Sequence, residues 1–150
     1  MKRLICVLFA VMLLAGCTQY LSPDVSELMD SLISSQGLDD MTTADDRAVG
    51  ILYGIDLNAV EDYAAAYSGK GGYADMIAIF KLNADADPDA VADILKTYKD
   101  NRYEDFKGYA PFEAEKVENG KVLAYDKYVL LLILPDINAG VETVDKAFKG

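Results

Sequence analysis

The residues whose chemistry is most specific are Leu14-Ala15-Gly16-Cys17. A plain signal peptide needs no cysteine at its cut. A diacylglyceryl transferase does, because the thiol sulfur carries the lipid as a thioether. Cys17 is therefore the expected lipidation site, and Leu14 to Cys17 reads as a lipobox. One acyl chain holds a protein on a membrane only marginally, so the two or three chains of a lipoprotein are what make such an anchor stable.

Other chemistry is bounded by what is missing. The chain has no histidine and two cysteines, Cys6 and Cys17. Cys6 leaves with the leader and Cys17 is acylated, so neither a free thiol nor a disulfide is expected. Ser-His-Asp and Cys-His nucleophilic machinery cannot be assembled from such a set, and neither can His-based zinc or iron sites. Carboxylates, lysines, tyrosines and hydroxyls remain. A carboxylate pair could run a glycosidase, but among 25 acidic residues some pair always arises. Asn83, Asp85, Asp87 and Asp89 have the spacing of the start of a calcium loop. Its sixth and twelfth positions, which require glycine and glutamate, hold Pro88 and Ile94, so a helix cap is the better reading. Ser68-Gly69-Lys70-Gly71-Gly72 lacks the Walker spacing and reads as a hairpin turn. Arg102, Tyr103, Tyr109 and Tyr128 are candidates to line a pocket: arginine offers a bidentate fork to a carboxylate and tyrosine a flat stacking surface. The other reading of Arg102 is an internal ion pair, with the tyrosines edging the core.

The elements that position these groups begin with the leader. Lys2 and Arg3 precede an apolar run from Leu4 to Leu14 and the small pair Ala15-Gly16, the order of a signal peptide. Eleven apolar residues fall short of the roughly 20 that span a bilayer as a helix. Residues 1–16 are thus expected to be a signal peptide, 17–22 the lipidated cysteine and a short tether, and 23–150 a single domain. Thr18 to Leu21 reaches at most about 15 Å, which keeps that domain close to the membrane. Removing Lys2 and Arg3 leaves 12 basic against 25 acidic residues, a net charge of −13. Such a domain repels nucleic acid and anionic headgroups, so its hold on the membrane is expected to be lipid.

Ser22-Pro23-Asp24 opens a helix with its apolar face at Val25, Leu28, Met29, Leu32 and Ile33, stopped by Gly37. Thr43 is a candidate cap for a short helix ending at Gly54. Residues 56–68 fit a helix face and a strand face equally. Tyr73 to Leu82 reads as a strand, Asp87-Pro88 as a helix start running to about Gly108, and Pro111 to Gly120 as a short helix or a turn. Lys121 to Tyr125 and Tyr128 to Leu134 form a hairpin through Asp126-Lys127. The second strand is apolar on both faces and so must be central and covered on both sides. Ile137, Val141, Val144 and Phe148 mark the last helix.

In that order the chain resembles a family of small bacterial lipoproteins known only as domain of unknown function 4358. The resemblance lies in the lipobox leader, Tyr53-Gly54-Ile55-Asp56, Ile77-Ala78-Ile79-Phe80-Lys81, Arg102, Tyr109-Ala110-Pro111 and Tyr128 to Leu131. Many members have glycine before the last strand, where this chain has Asp126-Lys127. The resemblance favours strand for Val60 to Ser68, places an arginine at position 102, and implies no activity.

The expected fold is α+β: an antiparallel sheet of about four strands in ββ-α-ββ order with flanking helices. The expected function is a non-catalytic, outward-facing binding domain on the cell membrane, without cofactor or metal. Its partner is another envelope protein or a small ligand, with Arg102, Tyr109 and Tyr128 as candidate contacts. The alternative is a carboxylate-based hydrolase of cell-wall material. If Cys17 carries the anchor, Cys17→Ala releases the processed protein from membranes; a mutant that is processed and still pellets with them contradicts the lipobox reading.

Overall fold

The computed structural model describes residues 20–150; the leader and Cys17 lie outside the described residues. In chain order the elements are α1 (Val25–Gln36), β1 (Met41–Thr43), α2 (Asp46–Tyr53), β2 (Val60–Ser68), β3 (Met76–Leu82), α3 (Pro88–Lys107), α4 (Pro111–Asn119), β4 (Lys121–Tyr125), β5 (Tyr128–Ile133) and α5 (Ile137–Lys149). A single 3-10 turn, Leu57–Ala59, leads into β2.

The five strands form one antiparallel sheet in the order β1-β2-β3-β5-β4. All six residues of β5 are buried. Successive side chains on a strand point to opposite faces, so the sheet has two apolar sides. Met76, Ala78, Phe80 and Leu82 of β3 join Val129, Leu131 and Ile133 of β5 on the side covered by α2, α3 and α4. Ile77 and Ile79 join Tyr128, Leu130 and Leu132 on the side covered by α1 and α5. The result is three layers with helices on both faces of the sheet.

The fold is the expected α+β one, and residues 60–68 are strand. The short edge strand β1 is an addition: Met41, Thr42 and Thr43 pair with Ser68, Tyr67 and Ala66. Pairing occupies Thr43, and Asp45 caps α2 instead by accepting from Ala48 N at 2.8 Å. Likewise Asp24, rather than Ser22, caps α1, accepting from Ser26 N and Glu27 N. The Ser22 hydroxyl is engaged 2.7 Å from Tyr128 Oη. β3 starts at Met76, because Tyr73 to Asp75 belong to the loop that follows β2. Asp87 caps α3 as expected, with Pro88 in the first turn. The β4–β5 turn works without glycine because Asp126 takes a φ of 51°, which a short polar side chain tolerates.

The first described residues lie at the end of the sheet that carries the β4–β5 turn. Tyr20 packs edge-on to Tyr125 with ring centroids 5.3 Å apart, and Leu21 N donates to Phe148 O at 2.8 Å. The opposite end carries the β2–β3 loop, the α3–α4 junction and the start of β4.

Gly120 joins α4 to β4 where nothing larger fits. A Cβ there would lie 2.9 Å from the backbone oxygens of both Leu132 and Val117. Gly50, inside α2, has open space around it. Gly120→Ala is expected to cost about 2 kcal/mol, and Gly50→Ala to stabilise by roughly 0.5–1 kcal/mol through helix propensity. Urea titration of the two variants checks both signs.

Candidate functional site

Tyr98, Arg102 and Phe106 follow one another at i, i+4 and i+8, which stacks them along one flank of α3. The Arg102 guanidinium carbon lies 4.9 Å from the centroid of the Phe106 ring, a cation–π arrangement. Phe106 in turn meets the Tyr109 ring at 5.5 Å. From α2, Tyr53 comes in as the last helical residue before Gly54, whose φ of 68° ends the helix. The Tyr53 ring sits 5.0 Å from that of Tyr98 and 5.9 Å from that of Phe80 on the sheet. Burial pushes the hydroxyls of Tyr53 and Tyr98 up from the usual phenol range, and the Arg102 charge partly offsets this at both.

Two polar atoms in this cluster are buried without a hydrogen-bond partner among the described residues: Tyr53 Oη and Arg102 Nε. Tyr53 is only 3% exposed. Every ion pair among the described residues is made by a lysine, so Arg102 is not the internal ion-pair partner that one reading of the sequence made it. Arg47, Lys99 and Lys121 also form no ion pair among the described residues; what distinguishes Arg102 is its buried Nε without a partner.

An open groove of about 490 Å³ runs between the end of α2 and the outer flank of α3, and Arg102 is not among the residues that line it. Tyr53, Tyr98, Ile51, Leu52 and Ile94 line it together with the polar Asp93, Thr97 and Asn101. Ile51 is 70% exposed, and Leu52 and Ile94 are exposed as well, an apolar rim with no intramolecular cover.

The sequence candidates do not all meet here. Arg102 and Tyr109 share one flank through Phe106, and Tyr103 packs against the same core. Tyr128 belongs to the other face of the sheet. Its ring lies edge-on to Phe148 at 5.0 Å, and its hydroxyl donates to Pro23 O at 2.9 Å. Arg102 and Tyr128 are therefore not neighbours, and the thickness of the sheet lies between them.

Tyr53 was not legible as a site residue, although it stands in the Tyr53-Gly54-Ile55-Asp56 segment that carries part of the family resemblance. A second cluster was also missed. Asp75 is buried, and Lys116 Nζ reaches its Oδ1 at 2.8 Å and Glu113 Oε2 at 2.9 Å. Glu113 Oε2 also accepts from Ala74 N at 2.7 Å. This cluster fastens the loop before β3 to α4, and nothing in local sequence spacing joins its members. In the acidic run before α3, the Asp87 carboxylate accepts from Asp89 N at 3.0 Å, as a cap does. Among the described residues no group of three acidic side chains converges as a metal site. Glu61 is held below the usual carboxylate range by hydrogen bonds from Lys127 and Lys81, and Asp145 by those from Lys149 and Tyr125. Neither is poised as a proton donor near neutral pH.

A family model described as domain of unknown function (DUF4358) matches residues 34–134, a span that holds Tyr53 and Arg102. The chain belongs to that family. No curated protein and no solved structure matches it.

Burial lowers the Lys116 pKa, but the hydrogen bonds to Asp75 and Glu113 outweigh that and raise it overall. A raised folded-state pKa gives stability that is complete below the unfolded value of about 10.4 and lost as pH climbs through the folded one. The raised tyrosines act in the same direction. Stability is expected to be unaffected by these groups near pH 8 and to fall above about pH 10. Lys116→Met strands the Asp75 and Glu113 carboxylates and is expected to cost about 3 kcal/mol at pH 7. Melting curves across pH 7 to 11 for both proteins test this.

Proposed function

We propose that this member of the family is a lipid-anchored, outward-facing domain of the bacterial cell envelope that binds without catalysis, and that its partner is met at Arg102. The observation that carries the reading is the Arg102 guanidinium: half-buried, set over the Phe106 ring, and with a buried Nε that has no hydrogen-bond partner among the described residues.

Three further features support it. The lipobox and short tether keep the domain at the membrane surface, where envelope proteins and incoming solutes are encountered. The absence of histidine and of a free thiol removes the commonest nucleophilic machinery. Its acidity disfavours nucleic acid and other polyanions as partners.

The test compares the wild-type lipidated protein with Arg102→Ala in crosslinking and capture from native membranes, alongside circular dichroism melting. Capture of the wild-type partner is expected to fall at least tenfold in the variant. Its melting temperature should move little, because the removed side chain had no hydrogen bond to lose. Unchanged capture contradicts the binding role of Arg102. A collapsed melting transition would make Arg102 a structural residue instead.

A further inference from the structure

We infer that Lys116 and Asp75 become joined covalently, by an isopeptide bond between Lys116 Nζ and Asp75 Cγ, with Glu113 as the proton carrier. Asp75 comes from the residue before β3, and Glu113 and Lys116 from successive turns of α4. Lys116 Nζ lies 2.8 Å from Asp75 Oδ1, and 3.2 and 2.9 Å from Oε1 and Oε2 of Glu113. Asp75 is the one buried charged residue among the described residues. The side chains of Lys116, Asp75 and Glu113 are only 17%, 9% and 16% exposed, and the Tyr73 ring covers Nζ with its centroid 5.9 Å away. The backbone is pinned on either side of the Asp75 side chain: Ala74 N donates to Glu113 Oε2 at 2.7 Å, and Asp75 O accepts from Ser68 N at 2.8 Å. An amine is thus held against one carboxyl group while a second carboxylate touches the same nitrogen.

As an ion cluster, two carboxylates around one ammonium leave an excess negative charge away from water, which is costly. Condensation removes two of the three charges and leaves Glu113 facing the new amide N–H and Ala74 N. The step balances without cofactor or oxidant. The ammonium passes one proton to Asp75 Oδ1, giving a neutral amine beside a carboxylic acid. The amine lone pair attacks Cγ and the N–C bond forms. Glu113 takes one of the two protons left on Nζ and delivers it to the hydroxyl on Cγ. The C–O bond breaks, its electron pair leaves with the oxygen as water, and the last proton stays on the amide nitrogen. Burial lowers the Lys116 pKa and its hydrogen bonds raise it by more, so the neutral pair is a minor state and closure is slow. The bond accumulates all the same, because groups held in place react as if at about 10⁵–10⁸ M. It closes a loop between positions 41 apart and ties β3 to α4, as a disulfide can in other chains; residues 20–150 contain no cysteine to form one. Once it is closed, Lys116 no longer titrates, and the loss of stability above pH 10 is left to the tyrosines. Lys116→Met then removes a link as well as a charge.

The test maps the full-length lipidated protein, purified from membranes, denatured and digested with trypsin, by mass spectrometry. Trypsin does not cut after an acylated lysine, so a closed bond yields residues 71–81 joined to residues 108–121, lighter by one water than the two apart. This joined peptide is expected to be the main form of both segments in the wild type. Lys116→Arg, which keeps the charge but not the amine, is expected to give none. Glu113→Gln, which keeps an acceptor for Ala74 N but cannot carry the proton, is expected to give at least tenfold less, and Glu113→Asp to recover part of it. Circular dichroism checks that each variant is folded. Wild-type protein that yields only the separate segments 71–81 and 108–116 overturns the inference, whatever the variants do. So does a joined peptide whose fragments place the link at another pair of residues. Joining that is as complete in folded Glu113→Gln as in the wild type overturns the role of Glu113.

Discussion

The structure depends on having to cover β5 twice. Six consecutive buried residues, Tyr128 to Ile133, put large side chains on both faces of the middle of the sheet. An antiparallel sheet can leave one face in water when its strands alternate polar and apolar. This one cannot, and β3 beside it is nearly as apolar. Helices must therefore be found on both sides. α1 and α5, from the two ends of the chain, cover one face; α2, α3 and α4, from between the strands, cover the other. The second group brings Tyr53 beside Tyr98.

How much of this was legible follows from how local each determinant is. The sequence Asp87-Pro88 marks the start of α3 because capping and the fixed φ of proline act within one turn. The apolar run of β5 announces its own centrality. Where two capping residues stood close together, the sequence could not choose between them. Ser22 and Asp24 are both able to cap α1, and the choice is made by Tyr128, far along the chain, whose hydroxyl engages Ser22. Thr43 and Asp45 differ in the same way: pairing with Ala66 takes Thr43 into β1. Three residues of edge strand leave too little alternation to be seen in advance.

The site was legible only at one corner. Arg102 stood out because the family resemblance places an arginine there, and Tyr109 lies on the same flank. Tyr128 shares its residue type with Tyr109 and nothing else. The parity of its position on β5 sends it to the opposite face, where it ties the entering chain to the sheet. Tyr53 and the Asp75–Lys116–Glu113 cluster depend on which helix crosses which, and no spacing within one element encodes that.

The way the chain enters the domain has a mechanical consequence. A pull applied at Tyr20 touches the edge strand β4 only through the side-on contact of its ring with Tyr125. Along the backbone it passes through the Leu21 amide to Phe148 at the end of α5, and through Ser22 and Pro23 to the hydroxyl of Tyr128 on the inner strand β5. Load is thus spread at once over a helix and over a strand held by neighbours on both sides. The outer strand β1, hydrogen-bonded along one side only, lies off that path. The Arg102 flank lies on the other face of the sheet, so tension on the entering segment reaches it only through the sheet as a whole.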